Sequence, residues 1–168
     1  MRRILEYFLP RLFVDSLEDI DLGKLKDLGI RGLIVDLDNT LVAWGAFDLP
    51  ERIVRWVERA KGEGFAICIV SNALEGRVAY FARHLAIPGI SKAQKPRRGA
   101  FRVALETLGL QRNEVAVVGD QVFTDVFGGN RLGLFTILVR PISKREFITT
   151  RLGRFFERLI LRRFTSRD

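Results

Sequence analysis

One cysteine and one histidine are all that the 168 residues contain of either type. A lone cysteine excludes an intramolecular disulfide and fits a reducing compartment. Cys68 lies in the apolar stretch Phe65-Ala66-Ile67-Cys68-Ile69-Val70, where it reads as a core filler and not as a catalytic thiol. His84 stands in a helical stretch far from any acidic motif and is expected at the surface. No run approaches the roughly 18 apolar residues that a membrane-spanning helix needs. Low-complexity tracts and internal repeats are missing too. Residues 1–11 imitate a signal peptide, but Glu6, Pro10 and Arg11 interrupt the apolar stretch and no small-residue cleavage site follows. The segment is expected to be retained, and the chain to be cytoplasmic or peripheral on the inner face of the membrane.

Acids are the other scarcity. The formal charge is +8, unevenly spread. From Arg140 to Asp168 nine basic residues face three acids, so +6 of the +8 falls there. Any affinity for polyanions therefore belongs to residues 143–168, while residues 1–142 form a nearly neutral body. Within the tail, Ile148, Leu152, Phe155, Phe156, Leu159 and Ile160 recur at helical spacing opposite Arg151, Arg154, Arg158 and Arg162. That pattern predicts a basic amphipathic helix suited to an anionic lipid surface. Packing on the body, or on a second subunit, is the ordinary alternative.

The length suits one domain with a full-sized core. Apolar runs at 32–37, 65–70, 88–91, 115–118 and 134–139 read as five strands, alternating with helices near 50–62, 77–85, 97–108 and 124–132. A short lead-in with a helical turn at 22–28 precedes them. Such alternation predicts βαβ units, hence an α/β, three-layer, Rossmann-like fold with a parallel five-stranded sheet. Ligands then bind beyond the carboxyl ends of the strands.

Those ends carry the polar residues. Val35-Asp36-Leu37-Asp38-Asn39-Thr40-Leu41 places two carboxylates two residues apart, where burying either unpaired is costly. Ser71-Asn72 follows the second strand, Lys95-Pro96 the third, and Gly119-Asp120 the fourth, with Asp125 five residues on. For a phosphomonoester held at this rim, Asp36 is placed to attack phosphorus and Asp38 to move the proton. Ser71 with nearby backbone N–H groups would hold the transferring oxygens, and Lys95 would supply fixed positive charge. Asp120 would complete a Mg²⁺ site with Asp36, and Asp125 would bind the metal through water or orient Asp120. Individually, Ser71-Asn72 is also a helix cap, Gly119-Asp120 a turn, and Thr40 a loop cap.

The order Asp-x-Asp-x-Thr, Ser-Asn, Lys-Pro, Gly-Asp-x-x-x-x-Asp resembles the haloacid dehalogenase (HAD) superfamily. The segments Asp15-Ser16-Leu17-Glu18-Asp19-Ile20-Asp21 and residues 29–42 are similar to the YqeG-type subclass IIIA phosphatases, relatives of phosphatidylglycerophosphate phosphatases. The resemblance spans roughly residues 10–142. It implies a Mg²⁺-dependent phosphatase with an aspartyl-phosphate on Asp36, and the fourth strand beside the first. It also implies phosphate contacts from Thr40, Ser71, Asn72 and Lys95, and a metal ligand in the Asp38 carbonyl.

About thirty residues separate Thr40 from Ser71, and about two dozen separate Ser71 from Lys95; neither interval has room for a cap domain. An uncapped site suits a phosphate borne on something large, and Trp44-Gly45-Ala46-Phe47 would rim it. Phosphatidylglycerophosphate at a membrane surface is the leading expectation. A nucleic-acid end ranks lower because no nucleic-acid module is recognisable. A phosphoprotein substrate, or a non-catalytic basic adapter on the same fold, is the remaining reading.

Overall fold

Alternate residues of the apolar runs point to opposite faces, and both faces are covered. In the computed structural model, which describes residues 2–143, the strands are β1 (Leu12–Val14), β2 (Gly32–Val35), β3 (Ala66–Val70), β4 (Gly89–Ile90), β5 (Val115–Gly119) and β6 (Phe135–Val139). All pair in parallel, in the order β1-β6-β5-β2-β3-β4. The helices are α1 (Arg2–Glu6), α2 (Leu22–Asp27), α3 (Glu51–Gly62), α4 (Glu75–Leu85), α5 (Arg98–Leu108) and α6 (Phe127–Asn130).

α3 buries Ile53, Trp56, Val57 and Ala60, one stripe at helical spacing. With Val78, Phe81 and Leu85 of α4 it covers the face formed by Leu33, Val35, Ile67 and Ile69. On the other face Ala100, Phe101, Ala104 and Leu105 of α5 meet Ile34, Cys68, Val70 and Val117. Each large aliphatic buried in this way contributes roughly 1.5–3 kcal/mol. Cys68 is fully buried, its thiol pushed up to about 12 by burial, and His84 is exposed.

The expected α/β class holds, but the sheet has six strands where the sequence suggests five. The extra one is β1, inside the expected lead-in. Its three residues are only partly buried at the sheet edge, and its partner β6 lies more than 120 residues away. The expected helix over 124–132 is instead a π-helical turn, Val122–Val126, running into α6. The remaining elements match within a few residues. Between β2 and β3 the chain makes only a loop and α3, leaving no room for a cap. The amphipathic helix expected in the tail falls on residues 144–168, outside the described residues. Among the described residues no helix is long and apolar enough to cross a membrane.

The order places β2 between β5 and β3, in register from Gly32↔Val115 to Val35↔Val118 and from Gly32↔Ala66 to Val35↔Ile69. Chain direction of the connections reverses here, so a crevice opens at the carboxyl end of β2.

Candidate active site

Asp36 leaves the end of β2 with its N–H still in the ladder, donating to the Val118 carbonyl at 2.9 Å. Its carboxylate is therefore fixed by the sheet. It is 7% exposed, and Lys95 Nζ approaches its Oδ1 at 2.5 Å. The same ammonium lies 2.7 Å from Asp125 Oδ1. Burial alone would depress the Lys95 pKa, but Asp125 and Asp36 outweigh it and hold the ammonium protonated well above the usual lysine value. Lys95 is placed through its backbone: its N–H donates to Asn72 Oδ1 at 2.8 Å, locking the loop after β4 to the end of β3.

Asp120 follows β5 and is buried, and its Oδ1 has no hydrogen-bond partner. Burial, then the Asp125 and Asp36 charges, push its pKa to about 8. Asp36 rises to about 6, chiefly through burial, with Lys95 opposing and Asp125 adding. Asp125 reaches the cluster from the π-helical turn, a wide turn of a kind frequent at functional sites. Its Oδ2 accepts the Gln121 N–H at 3.2 Å. A Cβ on Gly119 would stand 2.3 Å from the Asp125 carboxyl carbon, so only glycine lets that carboxylate pack beneath the strand end. The Gly-Asp pair is thus a close approach and not merely a turn.

One carboxylate oxygen each from Asp36, Asp120 and Asp125 lies within 4.8 Å of the others. Three buried carboxylates gather beside one ammonium, which contacts two of them, and one oxygen of the third is unpartnered. A hard divalent cation fits that donor set, since it would neutralise the excess charge and give the orphaned oxygen a ligand role.

A cavity of about 230 Å³ opens beside this cluster, lined by Asp36, Asp38, Trp44, Ser71, Asn72 and Lys95 among others. Ser71 Oγ accepts the Ala73 N–H at 3.1 Å, a turn that also leaves its hydroxyl proton available. Thr40, the expected phosphate contact, stands beside the Asp36 carboxylate. Its hydroxyl lies 3.5 Å from Asp36 Oδ2, and it borders a separate cavity of about 260 Å³ with Asp15, Arg52 and Arg140. Asp38 and Asn39 lie outside the three-carboxylate cluster. Asn39, in a left-handed conformation at φ 62°, accepts N–H groups from Trp44 and Ser143 and the Ser143 hydroxyl. It fastens the loop after β2 to the chain after β6.

Sequence reasoning missed Arg77. Its Nε and Nη2 donate to Asp38 Oδ1 at 3.2 and 2.7 Å, and Gly45 N–H reaches the same oxygen at 3.4 Å. The guanidinium carbon lies 5.1 Å from the Phe47 ring centroid and 5.2 Å from that of Phe81. All these donors converge on Oδ1, leaving Oδ2 outside the set. One signal was present: Arg77 falls in the first turn of α4, where the helix dipole disfavours a cation unless an acid compensates.

A parallel sheet with acids at the β2 and β5 ends and a lysine bridging Asp36 to Asp125 is the architecture of HAD-type hydrolases, and the comparisons agree. A family profile described as HAD-hydrolase-like matches residues 92–143. The deoxy-D-mannose-octulosonate 8-phosphate phosphatase of Haemophilus influenzae shares the fold, with a TM-score of 0.57 at 14% identity over 83% of this chain and 90% of that one. Over 156 residues the chain is 44% identical to the probable phosphatase YqeG of Bacillus subtilis, covering 93% of this chain and 91% of that protein. The chain belongs to the YqeG family of HAD-type phosphatases. Phosphatidylglycerophosphate phosphatase 1, chloroplastic/mitochondrial, of Arabidopsis thaliana is 29% identical over 170 residues, 95% of this chain and 49% of that protein.

Proposed function

We infer that this phosphatase hydrolyses a lipid-borne phosphomonoester, phosphatidylglycerophosphate, with Mg²⁺ and through an aspartyl-phosphate. The observation that carries the metal and the mechanism is the convergence of Asp36, Asp120 and Asp125 with an unpartnered Asp120 oxygen beside a cavity of about 230 Å³. The relatives that act on phosphatidylglycerophosphate support the substrate.

Asp36, Asp120 and Asp125 would hold the ion, with the Asp38 carbonyl as a further ligand. When bound, the ion supplies charge compensation for the phosphoryl oxygens. Asp36 attacks phosphorus as the bond to the leaving oxygen breaks. Lys95 and Thr40 keep the attacking carboxylate oriented. Asp38 protonates the leaving alkoxide, then takes a proton from the water that cleaves the Asp36–phosphoryl bond and releases phosphate. The free Oδ2 of Asp38 is the oxygen suited to carry that proton, because Arg77 and Gly45 occupy Oδ1. Ser71 and Asn72 line the phosphate cavity, where Ser71 has a hydroxyl proton to donate to a phosphoryl oxygen.

The test is phosphate release from phosphatidylglycerophosphate in mixed micelles, with Mg²⁺ or EDTA, set beside phosphorylated nucleotides, sugars, peptides and oligonucleotide ends. Asp36→Asn is expected to reduce release at least about 10⁴-fold, since an amide does not act as the nucleophile. Equal rates for parent and variant would remove the aspartyl-phosphate, and preference for a soluble substrate would remove the lipid. Arg77→Ala is expected to lower kcat roughly 10–100-fold and alter the shape of the pH–rate profile. Arg77→Lys should recover only part of that rate, because an ammonium lacks the planar fork. An unchanged pH profile in Arg77→Ala would mean that Arg77 is structural only.

A further inference from the structure

Among the described residues, three of the most exposed large hydrophobic side chains lie on or next to the segments that line one opening, the mouth of the phosphate cavity. They are Leu74 at 72%, Trp44 at 60% and Phe47 at 59%. Trp44 lines the cavity itself. Leu74 follows Ala73, another lining residue, and directly precedes α4. Phe47 covers the guanidinium that grips Asp38. Scattered apolar side chains need no explanation, but a cluster around an anion site does.

These tips are tied to the catalytic residues. The Trp44 N–H donates to Asn39 Oδ1 at 3.2 Å and the Gly45 N–H to Asp38 Oδ1 at 3.4 Å. The Lys92 N–H donates to the Ala73 carbonyl at 3.0 Å, holding the backbone of Lys92 next to the Ala73–Leu74 segment. From Ser91 to Leu105 the chain carries Lys92, Lys95, Arg97, Arg98 and Arg102 and no acid. Lys92, Arg97 and Arg98 are exposed. The mouth therefore presents apolar tips beside a cationic rim. Indole prefers a membrane–water interface, a leucine prefers acyl chains, and several cations near an anionic leaflet suffice for reversible attachment.

We propose that the cavity mouth is a membrane-docking surface: Trp44 and Leu74 enter the headgroup–acyl boundary of an anionic bilayer while the cationic rim contacts its headgroups. This deepens the lipid-phosphate reading and rests on it for the site, and it assigns attachment to the body of the chain independently of the tail. Docking sets the opening against the layer where a lipid-borne phosphate resides, which accounts for a site that has no cap.

Trp44 is its own reporter, since Trp56, the other tryptophan, is buried in the core. The full chain is titrated with vesicles of equal phosphatidylglycerol and phosphatidylcholine, plain or with brominated acyl chains, and with a single-stranded oligonucleotide. Tryptophan emission is expected to shift to the blue and to be quenched by the brominated chains, and Trp44→Phe should lose that quenching. Leu74→Ser is expected to weaken vesicle partition roughly tenfold, the worth of one buried leucine, with p-nitrophenyl phosphate hydrolysis unchanged. Absent quenching, quenching that persists in Trp44→Phe, or undiminished binding of Leu74→Ser would overturn the proposal. So would an oligonucleotide that shifts Trp44 emission where vesicles do not.

These vesicles contain no phosphomonoester, so docking is read without turnover. Docking without phosphatidylglycerophosphate hydrolysis would remove the substrate and leave the surface. Micellar hydrolysis without quenching would remove the surface and leave the substrate.

Discussion

Asp120→Asn is expected to raise the melting temperature of the metal-free protein while abolishing phosphatase activity. In the folded chain, burial and the charges of Asp125 and Asp36 lift the Asp120 pKa from 3.8 to about 8. A carboxyl group with a raised folded-state pKa favours the native state in its protonated form. That contribution is complete below about pH 4 and is lost as pH rises through about 8. Asp36 adds a second, narrower loss between 3.8 and about 6. Metal-free protein should therefore soften steadily from pH 4 to 8. The Asn variant keeps the shape without the charge, and its gain at pH 7 should be on the order of 2–4 kcal/mol, or roughly 5–10 °C. Mg²⁺ should reverse the comparison. It favours the ionised carboxylates, so its stabilisation of the parent should grow with pH across 5–8 and largely vanish in the variant. Scanning calorimetry in EDTA and in Mg²⁺ at several pH values reads both effects. A variant less stable than the parent without metal would mean that Asp120 is paired in the native state, contrary to its orphaned oxygen.

Much of this site was legible because each part follows its own strand. The acids of Asp36-Leu37-Asp38, the Ser71-Asn72 pair, Lys95 and Asp120 stand where apolar runs stop, and a parallel sheet has one rim where such ends meet. Strand-end placement is a one-dimensional property, so sequence carries it. What escaped was three-dimensional. β1 is three half-buried residues whose partner lies at the far end of the chain. Arg77 finds Asp38 across 39 residues, in a pairing that local spacing does not encode. The contact of Thr40 with Asp36 is another such feature: the Leu37–Val42 turn directs its hydroxyl back toward the strand end. For Asp125 the sequence offers a role at the metal or beside Asp120, but not the contacts that place it. The π-helical turn and the missing Gly119 side chain bring it into the carboxylate cluster and onto Lys95.

Lys95→Met tests the electrostatic centre of the fold. Among the described residues the ammonium is the single cation in contact with Asp36 and Asp125, and all three groups are buried. Removing it leaves carboxylates facing one another with their attraction gone and their repulsion intact. Breaking a buried pair in this way costs about 3–5 kcal/mol, here roughly a 10 °C fall in melting temperature. Activity should disappear with it, since Asp36 loses both its orientation and its charge partner. Misfolding alone would produce the same loss, and the double variant separates the two causes. Lys95→Met with Asp125→Asn removes one stranded charge while keeping an acceptor for the Gln121 N–H. Its melting temperature should recover by about half, and its activity should not recover at all. Added Mg²⁺ should also stabilise Lys95→Met more than the parent, because the ion then compensates carboxylates that no side chain neutralises. If the double variant melts no higher than the single one, Lys95 stabilises the domain by packing its stem, and the buried carboxylates are held by something other than its charge.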